Sequence, residues 1–72
     1  MKKEAIITAI RAKGATVKDA AHVLGYTRQN LYRRLNAGTM TDEELIRLAD
    51  WLGGRYVCRF EFDNPDGSIT IF

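Results

Sequence analysis

The stretch Thr16–Leu35, TVKDAAHVLGYTRQNLYRRL, decides how this chain of 72 residues folds. Its first half has apolar residues at helical spacing and ends at Gly25, a residue type suited to the left-handed backbone of a helix end. Thr27 is a natural N-cap for a second helix over 28–37, in which Leu31 and Leu35 form the buried side. Two short helices joined by a tight turn make a helix-turn-helix unit, although plain helical bundles contain this geometry too.

One further amphipathic helix is expected on each side of this unit. The stretch Lys2–Lys13 has its apolar residues on one face. Farther along, Thr41 and Glu44 form a capping box for a helix that ends before Gly53–Gly54. The acidic residues that begin this helix favour its dipole, which explains them better than a metal site does.

The spacing of apolar residues then changes from about 3.6 to 2, which indicates β-structure. Alternation over Tyr56–Phe62 predicts one half-buried strand, with Cys58 turned inward. The turn sequence Asn64–Gly67 follows, and Ser68–Phe72 is expected to return as a second strand. A lone two-stranded hairpin is marginal in water, so this hairpin must pack on the helices or on a second copy of the chain.

The composition is that of one small globular domain, with 46% hydrophobic and 28% charged residues. A single cysteine excludes an internal disulfide, and the apolar stretch Ala5–Ile10 is too short for a signal peptide. No apolar run approaches the roughly 20 residues that span a bilayer. We therefore expect a cytoplasmic α+β domain over residues 1–72, in which four helices precede a C-terminal β-hairpin at 55–72.

The formal net charge of +2 hides a strong asymmetry between the two halves of the chain. Residues 1–36 contain eight basic and two acidic side chains, a net charge of +6. Residues 37–72 contain three basic and seven acidic side chains, a net charge of −4. Unless the clustering is due to chance, the basic half indicates a face for an anionic partner.

The outward side of the helix over 28–37 carries the polar groups that recognise DNA. Arginine can pair with a guanine edge, and glutamine or asparagine with an adenine edge. Residues near the start of such a helix enter the major groove most deeply, so the expected base contacts are Arg28, Gln29, Tyr32 and Arg33. The expected phosphate contacts are Thr16, Lys18, Thr27, Asn30, Arg34 and Asn36. A polar helix face that is merely solvated is the alternative.

The sequence resembles the lambda-repressor-like (Cro-type) helix-turn-helix family, and most closely its small phage-type regulators. The resemblance covers about Ile6–Gly54 and rests on TVKDAA at 16–21, LGYTRQNL at 24–31, and the helix Thr41–Leu52 followed by Gly53. It implies sequence-specific operator binding, usually as a dimer, with the four base-contact residues at positions that commonly read bases. It also implies that the terminal strands pair across the dimer, as in Cro repressors.

Two positions depart from the pattern of that family. Val17 stands where many members carry a glutamine that anchors DNA, and Arg34 stands at a position that is usually apolar. The C-terminal half also offers more apolar surface than a hairpin on a small bundle needs, unless it simply wraps the core. The expected homodimer interface consists of Trp51, Tyr56, Phe60, Ile69 and Ile71.

These patterns together predict a DNA-binding transcriptional regulator, a repressor that acts as a homodimer on an inverted repeat. Double-stranded DNA is the expected partner, and no metal, cofactor, small-molecule ligand or membrane is expected. An enzyme is not expected, because the sequence has no recognisable nucleophile–base set and no phosphate-binding glycine loop. The alternative is a protein-interaction module, such as an antitoxin or a phage-encoded inhibitor, whose basic face binds RNA or an acidic protein.

Overall fold

The computed structural model describes residues 3–72, in which four helices precede three short strands. In chain order the elements are α1 Lys3–Ala12, α2 Val17–Leu24, α3 Arg28–Ala37, α4 Asp42–Trp51, β1 Arg55–Tyr56, β2 Phe60–Asp63 and β3 Ile69–Ile71. This confirms the α+β class and the order of helices before a C-terminal β-region. Lys2, which the sequence pattern includes in the first helix, lies outside the described residues. None of the described helices is long and apolar enough to cross a membrane.

The helix starts follow the capping pattern that the sequence predicts. The hydroxyl of Thr16 accepts a hydrogen bond from the N–H of Asp19, whose carboxylate accepts one from the N–H of Thr16, both at 3.2 Å. Thr41 and Glu44 form the same reciprocal pair at the start of α4. Thr27 caps α3 through its hydroxyl alone. Because each cap satisfies backbone N–H groups that have no partner inside the helix, the three helix starts are determined locally.

The turn between α2 and α3 depends on Gly25. Its backbone is left-handed, with φ 78° and ψ 23°, and the following N–H of Tyr26 donates to the carbonyl of Ala21 at 2.8 Å. A side chain in this conformation costs roughly 1–2 kcal/mol, which glycine avoids. This reversal sets the angle at which α3 leaves α2.

The core joins all four helices to the sheet. Helix α2 packs against α1, α3 and α4, while α4 also packs against β1. Ile10, Leu31, Leu48 and Phe60 are the largest fully buried side chains. The inward residues that helical spacing predicts are confirmed as buried. The full set of buried apolar residues, from the helical region and from β2, is Ile6, Ala9, Ile10, Val17, Ala20, Ala21, Leu24, Leu31, Leu35, Leu45, Leu48, Ala49, Leu52, Phe60 and Phe62.

The three strands form an antiparallel sheet in the order β1-β2-β3. The prediction of one continuous strand over Tyr56–Phe62 is wrong, because the chain reverses between Tyr56 and Phe60, which pair with each other. Cys58 has φ 68° at this reversal, and the N–H of Val57 donates to the carbonyl of Arg59 at 3.0 Å. Cys58 is consequently exposed rather than turned inward.

Strand β2 passes Gly54, which follows α4, at a distance that only glycine permits. A Cβ atom on Gly54 would lie 2.4 Å from the carbonyl oxygen of Glu61 and 2.5 Å from the ring of Phe62. Phe62 in turn meets the ring of Phe72 edge to face, with centroids 5.8 Å apart. Gly54, one of the two glycines that follow α4, therefore also allows β2 to pack closely at this point.

The turn before β3 forms as its sequence predicts. The N–H of Gly67 donates to the carbonyl of Asn64 at 3.1 Å, and the N–H of Asn64 donates to the carbonyl of Ser68 at 2.9 Å. The returning strand pairs with β2 in a register that sets Ile71 opposite Glu61 and Ile69 opposite Asp63. Residues that face each other across such a pair share one side of the sheet, so both isoleucines lie on its outer side.

Candidate nucleic-acid interface

Helix α3 presents a continuous polar face to solvent. Leu31 and Leu35 are buried beneath it, which turns the intervening side chains outward. Of the residues expected to contact DNA from this helix, five are exposed, namely Arg28, Gln29, Asn30, Arg33 and Asn36. Their donors and acceptors match those that base edges and phosphates require.

Tyr32 occupies a different position from the other three residues expected to contact bases. It is half-buried and packs against the core, and the Nζ of Lys3 lies 5.8 Å from the centroid of its ring. Tyr32 lines a depression together with Arg11 and Lys18, at the side of α3 that faces α1 and α2. Tyr32 therefore lies at the flank of the helix-turn-helix unit.

Two of the expected phosphate contacts have a structural role as well. The hydroxyls of Thr16 and Thr27 accept hydrogen bonds from backbone N–H groups at the starts of α2 and α3. A threonine hydroxyl that accepts one bond can still donate its own hydrogen to a phosphate oxygen. Lys18 is exposed on the first turn of α2, two residues after Thr16.

Arg34 forms an ion pair and a hydrogen bond within the protein. Its guanidinium donates to the carboxylate of Glu44 and to the carbonyl of Thr39, the latter at 3.0 Å, and lies 5.2 Å from the ring centroid of Tyr26. We therefore withdraw Arg34 as a phosphate contact. This position accommodates an arginine because its guanidinium reaches the carboxylate of Glu44 on α4.

Glu44 ties together the turn, α3 and α4. Its carboxylate accepts from the hydroxyl of Tyr26, from the guanidinium of Arg34, and from the N–H of Thr41 at 2.9 Å. Partial burial of Glu44 opposes ionisation, but the hydrogen bonds from Thr41, Tyr26 and Arg34 outweigh it and lower the pKa of this carboxyl. The same bond to the carboxylate raises the pKa of the Tyr26 hydroxyl.

Sequence reasoning assigned Glu44 only to the capping box and did not assign Tyr26 to any polar contact. The available signal was Arg34, because a cation at an apolar helix position needs an anion nearby. Which anion it would find depended on the angle between α3 and α4, and local spacing does not contain that angle.

The cations of the interface differ from Arg34 in having no ion pair. Among residues 3–72, Lys18, Arg28 and Arg33 form no salt bridge to a carboxylate within 4.0 Å. Their charges therefore remain available to an external anion. Such cations release condensed counterions when they meet DNA, which is the main source of affinity for the duplex.

The residues expected at a dimer interface differ in their exposure to solvent. Phe60 is wrong as a contact residue, because its side chain is fully buried in the core of one chain. Tyr56 is half-buried and meets the ring of Phe60 edge to face, with centroids 5.7 Å apart. Ile69 and Ile71 are each 49% exposed on the outer sheet face, whereas Trp51 lies in a groove beside α2 and the start of α3.

Comparison with protein families matches the chain to a known type of regulator. The model of the family described as bacterial regulatory protein, Fis family, matches residues 2–38, just over half of the chain. The matched residues include α2 and α3, the helix-turn-helix unit. Searches of curated proteins and of solved structures gave no significant match. The chain belongs to the Fis family of bacterial regulatory proteins and is a DNA-binding helix-turn-helix transcription regulator.

Proposed function

We propose that this regulator is a sequence-specific repressor that inserts α3, residues 28–37, into the major groove and binds an inverted repeat as a homodimer. The observation that carries the proposal is the exposed face of α3, where Arg28 and Arg33 lie beside Gln29 and form no ion pair with any of residues 3–72. Each bidentate contact of such a side chain to a base edge contributes roughly 1–3 kcal/mol of discrimination.

The contacts divide by position on the unit. Arg28, Gln29 and Arg33 read bases, and Tyr32 approaches the duplex from the flank of α3. Phosphate contacts come from the remaining exposed polar groups, which fix the register without reading sequence. These are Thr16, Lys18, Thr27, Asn30 and Asn36.

The homodimer is proposed to form through the C-terminal region 55–72. Strand β3 is an edge strand, and Ile69 and Ile71 expose apolar surface beside it. An edge strand can pair with a second copy of itself. Two copies would place two recognition helices on half-sites about one DNA turn, roughly 34 Å, apart. Tyr56, on the opposite edge strand β1, is proposed as a lesser contact, and Trp51 as a further candidate outside the sheet.

Selection of bound duplexes from a random pool tests the proposal directly. We expect enrichment of an inverted repeat, and light scattering is expected to give twice the mass of one chain at the same protein concentration. The variant Ile69→Ser/Ile71→Ser should lose the dimer but still bind single half-sites weakly. Selection without any enriched sequence would contradict the proposal. A protein that shifts no duplex yet retains a protein partner would instead favour the interaction module.

A further inference from the structure

We propose that α1 is part of the DNA interface, through a phosphate-binding depression in which Arg11 acts together with Lys18 and Arg28. This inference rests on DNA binding by the helix-turn-helix unit and extends the proposed contacts to a helix that precedes the unit. It assigns Arg11 as a contact to a phosphate of the duplex, which the sequence pattern did not indicate.

The depression brings together one cation from each of the first three helices. Arg11 comes from the last turn of α1, Lys18 from the first turn of α2 and Arg28 from the first residue of α3. Tyr32 lines it as well, and Thr16 stands at its rim. Arg11 and Arg28, which are 17 positions apart in the chain, thus line the same open depression, next to the face that α3 presents to DNA.

The cations that line this depression are not paired with carboxylates of residues 3–72. Within the described residues, none of Arg11, Lys18 and Arg28 forms a salt bridge. The Nζ of Lys3 adds a fourth positive charge near the ring of Tyr32. The nearby carboxylate of Asp19 accepts a hydrogen bond from the N–H of Thr16 and serves as the cap of α2.

Like charges gathered in this way repel one another, and an external anion relieves the repulsion. The other arginines with described partners behave differently, since Arg34, Arg55 and Arg59 each pair with a carboxylate. A phosphate of the DNA backbone is the anion that fits best. Arg28 borders both the depression and the exposed face of α3, so a duplex held on that face brings its flanking phosphates to Arg11.

The test is the salt dependence of binding by Arg11→Gln, measured on the selected duplex and on a random duplex. We expect both affinities to fall by the same factor, because a phosphate contact carries no sequence information. The slope of log affinity against log salt should fall by about 0.9, so the advantage of the unsubstituted protein should shrink about threefold to fourfold between roughly 50 and 200 mM salt.

Two further variants keep this test decisive. Arg47→Gln removes the same charge from an exposed position of α4 outside the depression, and it should leave the slope unchanged. Arg11→Lys retains the charge and should retain the slope, whereas a role in packing or hydrogen-bond geometry would not be rescued by lysine. Thermal unfolding checks that all variants are folded at the assay temperature.

The possible failures are distinguishable. An Arg11→Gln slope equal to that of the unsubstituted protein, or equal losses in Arg11→Gln and Arg47→Gln, would overturn the inference while leaving the proposed function intact. If the unsubstituted protein showed no preference for any selected duplex, sequence-specific repression would fail, but the slope on random duplex would still decide the role of Arg11.

Discussion

The outer face of α3 and the outer face of the sheet both carry arginines, and they use them in opposite ways. Arg28 and Arg33 on α3 have no carboxylate partner among the described residues. On the sheet, Arg55 bridges Glu61 and Asp63 at 3.0 Å each. Arg59 also pairs with Glu61, at 2.9 Å.

The arginines of the sheet pair with carboxylates, and one of these carboxylates, that of Glu61, is buried. Glu61 points to the outer side of the sheet but is only 8% exposed, and its carboxylate accepts hydrogen bonds from the guanidiniums of Arg55 and Arg59. The guanidiniums of Arg59 and Arg55 lower the pKa of Glu61 despite this burial. Both faces carry arginines. The candidate DNA-binding face differs because its arginines, Arg28 and Arg33, have no carboxylate partner among the described residues.

The largest expected effect is on stability and comes from truncating Phe60, on the buried side of the sheet. Phe60→Ala should lower the free energy of unfolding by about 3–5 kcal/mol, because it leaves a cavity where the sheet meets the helices. The loss should be independent of protein concentration, since the side chain is buried within one chain. Denaturant unfolding at several protein concentrations measures both properties.

Ile71→Ala is the matched control for that variant. Ile71 is 49% exposed, so its truncation should cost a single chain less than about 1 kcal/mol. Equal losses in the two variants would mean that the outer sheet face, rather than Phe60, supports the fold.

The comparison of the arginines themselves predicts an intermediate effect. Arg33→Ala should weaken binding to the selected duplex by about 1–3 kcal/mol, or roughly tenfold to a hundredfold, and should relax preference at one base pair. Arg59→Ala removes a cation that is already paired and should leave DNA affinity unchanged. Titration of duplexes that differ at single positions measures both affinity and preference. Similar losses in both variants would remove the distinction between free and paired arginines.

The smallest expected effect concerns the ion pair between Arg34 of α3 and Glu44 of α4. Glu44→Gln can still cap α4 but loses the charge that holds Arg34, and should destabilise the fold by about 1–2 kcal/mol at neutral pH. Because the pKa of Glu44 is lowered in the folded state, its contribution is complete above its ordinary value of 4.5 and is lost as the pH falls through the lowered folded pKa.

The pH dependence is what distinguishes this effect from a simple loss of packing. The difference in unfolding free energy between the unsubstituted protein and Glu44→Gln should stay constant near neutral pH and shrink on acidification below 4.5. Denaturant unfolding across that range measures it. A difference that does not change with pH would show that the charge of Glu44 contributes nothing.

Local interactions explain why much of the fold was predictable from the sequence. The start of α3 after Thr27 and its left-handed end at Gly38 follow from residues within four positions of each other. The burial of Leu31 and Leu35 follows from helical spacing alone. Since the polar face of α3 is simply the side opposite to those leucines, most of the candidate interface could be read in the same way.

The errors occur where contacts between distant segments decide the outcome. Alternation predicted one strand through Cys58, but the chain reverses there so that Tyr56 can pair with Phe60 against α4. The ion pair of Arg34 with Glu44 was not predicted either, because it joins two helices. Neither a reversal nor an ion pair between helices has a periodic signal.

The sequence by itself determined the helix-turn-helix unit, the helix caps, the buried faces and the concentration of positive charge in residues 1–36. Each of these depends on side-chain type and on separations of a few residues, which the covalent chain sets. The tertiary structure decided which cations remain free, because an ion pair depends on the distance between elements. In the folded chain Arg28 and Arg33 are exposed to solvent, Arg34 forms an ion pair with Glu44, and Arg11 and Lys18 line the same depression.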